Sequence, residues 1–516
     1  MFLVDTQIVS SLFLGVLLLA FWQYRRKPLR LPPGPSRRHP GDHALVFQPW
    51  KTFYQWNKTY GPVISFALGR KRVIVLGTFQ AARDLLVSRG SIYSGRPRNI
   101  VGHEILSGGM RGIGMSDGPR YRKWKTLMQA GMNNTAALNY QPLQSLESFL
   151  LLRDLLKDED AMEYKQRLRR FAISIIFCVA YGRRIKTLED NIVVQNMKTG
   201  GLTQLKVLCF SVPGKFLVDS WPILLWLPKF LQWFRWEPER HRAMDTELYM
   251  DLLDDVRQQM QKGTAHPSMA SHGLEKQEEF GLSDEETAFT LSAPWAAGPG
   301  TVCQFLHPNL AMLLYPDTMK KAQAEIDSVV GMERMPDFND LKVLPYLEAL
   351  IKETTRWRCV APTGFPHAPM TDDFYEWMFI PKGSTVYANI YAITQDEAMF
   401  PNPGEFIPER FLNTSDPNLI NFTIPFGFGR RQCPGMHVAL QSVSIAVARI
   451  LWAFNVIPPV DSQGNKILPS ADSFTSGLIT RPTPFKCCFE PRSQNTREVI
   501  IQEAERAELE ASAWKS

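Results

Sequence analysis

Phe426-Gly427-Phe428-Gly429-Arg430-Arg431-Gln432-Cys433-Pro434-Gly435 is the most informative run in the chain. A glycine-rich loop delivers one cysteine to the start of an apolar helix, expected from about Pro434 to Phe454, with Pro434 at a first-turn position. A helix N-terminus favours negative charge, so the pattern sets Cys433 up as a thiolate. Gly429 and Gly435 lack a Cβ and let backbone approach a bulky planar group. Backbone N–H groups around the sulfur can tune a bound metal, and Arg431 can reach an anionic edge of such a group. A buried free cysteine beside a tight turn is the plainer alternative. Zinc is another, because His437 follows one helical turn later. Structural zinc wants four ligands, and the chain has no second Cys/His pair at suitable spacing.

The rest of the chain fits one large enzyme. It has 516 residues, 45% hydrophobic and 21% charged, which excludes a largely disordered chain. With 58 Lys and Arg against 51 Asp and Glu, the net charge is +7. That excess is too mild to suggest nucleic acid as a partner. The cysteines, Cys178, Cys209, Cys303, Cys359, Cys433, Cys487 and Cys488, are odd in number and form no C-x-x-C pair. Neither a disulfide framework nor a zinc ribbon is expected, and the thiols should face a reducing compartment.

Between Asp5 and Arg25 no residue is charged, and Ile8–Trp22 is almost wholly apolar. That length suits a membrane-crossing helix, and the Arg25-Arg26-Lys27 that follows favours a retained anchor with its large domain cytosolic. Leu31-Pro32-Pro33-Gly34-Pro35 reads as a stiff spacer. The expected organisation is an anchor at 1–27, a Pro-rich hinge at 28–40, one domain at 41–490 and a charged, exposed helical tail at 491–516. Val63–Leu68 and Val73–Leu76 alternate around Gly69–Arg72 as a hairpin. Helical spacing recurs over Leu146–Leu156, Gln166–Tyr181, Ala243–Gln261, Ser283–Leu314, Tyr315–Val330 and Leu341–Arg358. The fold class is mainly α with small β-sheets. Phe216–Phe234 has two readings, as buried core or as an apolar patch at a membrane interface.

Phe426, Gly429, Arg431, Cys433 and Gly435 resemble the F-x-x-G-x-R-x-C-x-G haem-binding loop of the cytochrome P-450 family, the haem-thiolate monooxygenases. Glu353-Thr354-Thr355-Arg356 looks like the family's E-x-x-R helix, and Pro408-Glu409-Arg410-Phe411 like its P-E-R-F segment. The resemblance implies that Glu353, Arg356 and Arg410 form a structural ion network. It implies haem b with Cys433 as axial iron ligand, and oxygen insertion into a lipophilic molecule. It also gives His367 and Trp124 as further haem contacts, although Met128 stands where the family has an Arg, with Lys125 or Arg122 as substitutes. Ile92-Tyr93-Ser94-Gly95-Arg96-Pro97 is similar to fungal members, often of secondary metabolism; xenobiotic oxidation is the other role considered.

Ala297-Gly298-Pro299-Gly300-Thr301 is similar to the family's oxygen-activation segment A-G-x-[D/E]-T. By that likeness Gly298 leaves room for O2 and Thr301 relays protons, while Gly300 replaces the usual acid. Pro299 and Pro308 each cost about 3 kcal/mol inside a helix. A haem-thiolate isomerase or dehydratase, and a catalytically impaired haem-binding member, remain open beside the monooxygenase. No phosphate-binding glycine fingerprint opens a strand–helix unit, so electrons must come from a separate NADPH-cytochrome reductase. The basic run Arg120-Tyr121-Arg122-Lys123-Trp124-Lys125 suits such an acidic partner. The expected location is the endoplasmic reticulum membrane, crossed once, with lipid as a further partner.

Overall fold

The computed structural model describes residues 29–35, 47–157, 161–196 and 216–512, without the side chains of 195–196 and 298–307. The expected anchor at 1–27 lies outside the described residues, as do residues 28 and 36–40 of the expected hinge. The longer helices, in chain order, are α1 (Pro49–Tyr60), α2 (Pro119–Met132), α3 (Gln141–Leu156), α4 (Tyr164–Tyr181), α5 (Trp236–Gln261) and α6 (Asp284–Leu291). They continue with α7 (Ala293–Leu314), α8 (Pro316–Val330), α9 (Pro345–Trp357), α10 (Met436–Ala453) and α11 (Gln494–Ser512). The chain is mainly helical with small sheets, as the periodicity predicts.

Prolines decide where several helices begin. The helix expected over Ser283–Leu314 is two helices, because Pro294 in the first turn of α7 has no N–H to continue the ladder from α6. α6 itself starts on a capping box between Ser283 and Glu286, with Asp284, Glu285 and Glu286 in its first turn. α8 and α9 likewise open on Pro316 and Pro345. By contrast, α7 stays helical through Pro299 and Pro308. Its C-terminal turns bury Leu310, Ala311 and Met312 in the same core as Phe171 and Phe177 of α4, and burial of this kind outweighs local propensity.

Strands β1 (Val63–Leu68) and β2 (Lys71–Leu76) pair antiparallel from Val63↔Leu76 to Leu68↔Lys71. The turn is shorter than predicted, leaving only Gly69 and Arg70 outside the ladder, with Gly69 at φ 58°. β3 (Asp373–Tyr375) and β4 (Met378–Ile380) form a second hairpin, and β5 (Thr385–Ala388) adds parallel to β2, Val73 facing Thr385. β6 (Phe454–Ile457) pairs with β7 (Cys488–Pro491). Two isolated bridges, His367↔Val386 and Gly95↔Ala368, stitch the segment around 95 to the sheet edge. Gly95 is required there, since a Cβ would stand 2.6 Å from the Ala368 carbonyl oxygen.

The cysteine loop lies between two buried cores. Phe428 belongs to the sheet-side cluster with Ile74, Leu85, Val386 and Phe400, and Val438 to the helical cluster with Leu127, Leu310, Leu350 and Trp452. One expectation is corrected, and one open reading is narrowed. The charged C-terminal helix is not an exposed tail: Thr496, Ile500, Ala504, Ala507 and Ala511 are buried, and Ala507 and Ala511 pack on Leu146 and Leu150 of α3. Its small apolar residues recur at helical spacing among the charges, a narrow stripe that net charge alone hides. Phe216–Phe234 is not ordinary core either. Val218 and Phe234 are buried, but Trp226 is 85% and Phe230 75% exposed.

Candidate functional site

The backbone of the cysteine loop is closed by the Cys433 N–H donating to the Phe426 carbonyl at 2.9 Å. Gly429 takes φ 57°, and a Cβ there would meet the Leu86 carbonyl oxygen at 2.1 Å. The glycine therefore serves the packing of the loop on the short helix Arg83–Ser88. At Gly435 a Cβ would meet only Met132 Sδ at 3.6 Å, an ordinary contact. α10 begins at Met436 with Gly435 as its N-cap. Pro434 thus precedes the helix instead of occupying its first turn, and Cys433 sits two residues before the cap.

Cys433 is accessible to solvent, yet protein surrounds it closely enough that burial pushes its thiol up, with the Gly435 N–H pulling the other way. The helix terminus alone does not hold a thiolate there; a bound iron cation would supply the missing positive charge.

Three basic side chains converge beside the loop. Arg431 donates to the carbonyls of Ser94 (2.8 Å) and Met115 (2.6 Å) and lies over the Tyr121 ring at 3.6 Å. Arg96 donates to the Pro366 carbonyl at 2.6 Å, and its Nε is buried without a partner. His367 Nδ1 faces the Tyr93 carbonyl at 2.9 Å. A carbonyl only accepts, so the ring proton sits on Nδ1. Burial, then Arg96, pushes His367 down to about 3, so it is neutral at pH 7. Burial, then Arg431, pushes Arg96 down to about 9. Among the described residues neither arginine has a carboxylate partner in an ion pair. Asp117 lies near enough to favour the Arg431 charge, whereas Arg96, with its Nε buried and unpaired, is the cation that an anion would balance.

Arg96 is the site residue that the sequence reading missed as a ligand. Its signal was present in Ser94-Gly95-Arg96-Pro97, but only the Gly95↔Ala368 bridge shows that it lies against His367. Trp124 of α2 is buried, stacks on Tyr121 and leaves its Nε1 without a partner. Met128 is buried core. Of its suggested substitutes, Lys125 reaches the Arg430 carbonyl at 3.3 Å and Arg122 is exposed. The basic run is less free than its sequence suggests, because Arg120 pairs with Glu286 at 2.7 Å and Lys123 donates to the Gly281 carbonyl.

Behind the loop, Glu353 and Arg356 are fully buried and joined by two bonds, Nε–Oε2 at 2.6 Å and Nη2–Oε1 at 2.7 Å. Arg410 adds a third at 3.2 Å. Arg356 also donates to the carbonyls of Thr394, Pro403 and Glu405, each at 2.9 Å. Gly298, Gly300 and Thr301 lie on α7; their side-chain surroundings are outside the described residues. Among the described residues no three His, Cys, Asp or Glu side chains gather as a metal cage. One thiol, an unpaired indole N–H and a cationic rim are the donor set of a site for an anionic macrocycle whose metal takes a single protein ligand. Haem fits them.

A mainly helical domain with such a thiol site defines a haem-thiolate protein. The Cytochrome P450 family model matches residues 33–489, and the chain belongs to that family of haem-dependent monooxygenases. Cytochrome P450 monooxygenase 58 of Postia placenta is 39% identical over 505 residues, covering 95% of this chain and 94% of that protein. Cytochrome P450 monooxygenase aneD of Aspergillus aculeatus is 34% identical over 508 residues, covering 97% and 96%. A zebrafish cytochrome P450 solved with progesterone shares the fold at TM-score 0.73 and 21% identity, covering 86% of this chain and 99% of that one.

Proposed function

We propose that Cys433 is the axial ligand of haem iron and that the chain inserts one oxygen atom into a lipophilic small molecule of fungal secondary metabolism. The observation that supports this most is the accessible Cys433 thiol in a loop whose Arg431 lies with Arg96 and His367, the Arg96 Nε being buried without a partner. Haem iron held by a thiolate supplies O2 activation when bound. In this reading Arg96, Arg431 and His367 hold the anionic edge of the macrocycle, and Trp124 donates its Nε1–H. An anion arriving at His367 Nε2 would raise the ring toward its protonated form. The Gly435 N–H moderates the sulfur. Gly298 gives room on the oxygen side, and Thr301 passes protons that water must supply, since Gly300 brings no acid. The NADPH-cytochrome reductase docks on the basic side of α2, where Arg122 and Lys125 remain.

Co-expression with a fungal reductase, followed by a screen of lipophilic metabolites for mass gains of one oxygen, tests the reaction. Product formed without NADPH would point instead to an isomerase or dehydratase.

The location proposed is the cytosolic face of the endoplasmic reticulum. The chain emerges at 29–35 beside β1 and β4, with the Pro33 carbonyl accepting from Ser65 N–H at 2.8 Å and the Arg30 carbonyl from Phe379 N–H at 2.7 Å. On the same side the β1–β2 turn places Arg70 over the Trp221 ring at 4.5 Å, and next to it stands the exposed apolar segment with Trp226 and Phe230. An anchor leaving at that point lays this segment against lipid. Orientation has a direct test in the acceptor sequons Asn57-Lys58-Thr59, Asn133-Asn134-Thr135, Asn413-Thr414-Ser415 and Asn421-Phe422-Thr423. The protein made in microsomes should show no glycosidase-sensitive shift in gel mobility. A shift would place the domain in the lumen.

A further inference from the structure

Three basic side chains at the cofactor edge depend on one short piece of backbone, Tyr93–Arg96. The Tyr93 carbonyl accepts His367 Nδ1–H at 2.9 Å, and the Ser94 carbonyl accepts Arg431 Nε–H at 2.8 Å. Arg96 belongs to the piece itself. Whatever holds this backbone therefore sets where the three side chains stand. Part of the hold is main chain: the Gly95 carbonyl accepts the Ala368 N–H and the Ile92 carbonyl the Met370 N–H, both at 2.9 Å.

The buried Tyr93 side chain adds a tie to a different element. Its hydroxyl donates to Asp373 Oδ2 of β3 at 3.0 Å. Asp373 also receives Arg89 Nη1, at 3.0 Å on Oδ1 and 2.9 Å on Oδ2. The Arg89 side chain is 36% exposed, and an ion pair that open to water contributes little. The Tyr93 bond is inside, and an O–H donating to a carboxylate is among the stronger hydrogen bonds. Burial, then Asp373, pushes the Tyr93 phenol up, so it keeps its proton and stays the donor. A post must itself be fixed, and a two-stranded hairpin alone is marginal. The β3–β4 hairpin is fixed by Tyr375, whose hydroxyl donates to Asp84 at 2.9 Å, and by Met378 and Ile380 in the sheet-side core.

We propose that Tyr93 and Asp373 are a pair of positioning residues that fix, from the β3–β4 hairpin, the backbone carrying the basic side chains of the cofactor edge. The proposal rests on the haem-site reading above. The pair acts through the Tyr93 and Ser94 carbonyls, which aim His367 and Arg431, and through the placement of Arg96. A merely structural tie has a different consequence: the fold loses stability while the groups around the bound macrocycle keep their places.

The test uses the full-length haem-loaded protein in phosphatidylcholine nanodiscs, with Tyr93→Phe as the central variant, since it keeps the buried ring and removes only the hydroxyl. Haem loss to excess apomyoglobin should become about tenfold faster, the scale of one hydrogen bond to a charged group. The propionate bending mode in resonance Raman spectra should shift, a signature that lowered stability alone does not produce. Hydrogen exchange at the Ala368 and Met370 amides should also rise about tenfold, a readout that needs no haem. Asp373→Ala should behave alike. Asp373→Asn, which keeps an oxygen for the Tyr93 hydroxyl, should stay within about threefold of wild type in each rate. Arg89→Ala should do so too, because it spares the Tyr93–Asp373 bond. Unchanged haem loss and an unshifted propionate mode in Tyr93→Phe overturn the proposal, even if the thermal midpoint falls. An Arg89→Ala effect as large as that of Tyr93→Phe also overturns it, by assigning the hold to the ion pair. If wild type takes up no haem, the haem reading has failed, and exchange at the two amides still decides whether the pair fixes the backbone.

Discussion

Cys433→Ser is expected to abolish the thiolate-type Soret band of the reduced, CO-bound protein. Serine keeps the size of the side chain, and the loop is held by backbone: the Cys433 N–H to Phe426 carbonyl bond, the left-handed Gly429 and the burial of Phe428 against Phe79 and the sheet-side core. The fold should therefore survive, with far-UV circular dichroism unchanged and a thermal midpoint within a few degrees of wild type. What goes is the one soft anionic ligand the loop offers. A hydroxyl has too high a pKa to give an alkoxide there, where burial already pushes the thiol up. An intact thiolate band in the serine variant would falsify the assignment and return Cys433 to the class of free cysteines without a ligand role.

Glu353→Gln is expected to be as severe, for a different reason. Glu353 is fully buried and receives Arg356, Arg410 and the Ile407 N–H, the last at 2.8 Å. Neutralising it leaves two guanidinium groups facing each other in the interior. Breaking a buried pair by removing one partner costs about 3–5 kcal/mol, against a total stability of about 5–15 kcal/mol. Arg356 also gathers the carbonyls of Thr394, Pro403 and Glu405, so the segment leading to the cysteine loop should loosen with it. Little soluble protein, or a thermal midpoint lowered by many degrees with poor haem retention, is the outcome sought. Urea unfolding of apoprotein and loaded protein separates lost fold stability from lost cofactor affinity. A variant within about 1 kcal/mol of wild type would mean that the network is dispensable.

The sequence by itself determined the chemistry of the centre. F-x-x-G-x-R-x-C-x-G names a loop, a thiol and a cation within ten residues, and local spacing is what a linear chain can state. The helical class, the β1–β2 hairpin and the i,i+3 placement of Glu353 and Arg356 were legible on the same ground, because helix and strand periods are local. The sequence was less reliable where two local signals competed. Pro294 broke a helix that apolar spacing alone would have continued, and the charges of 494–512 masked the stripe of small residues by which it docks. Tertiary structure alone decided the partners. It brought Arg96 against His367 through the Gly95↔Ala368 bridge, added β5 to β2 across some three hundred residues, and excluded ordinary core for Phe216–Phe234 by leaving Trp226 and Phe230 outside. It turned Asp219, an isolated acid in that run, onto the amides of a helix more than a hundred residues earlier. The reason is common to all of these. A residue type fixes what a side chain can do, but contacts between distant segments are set by how buried surfaces fit together, and no periodicity within either segment records the other.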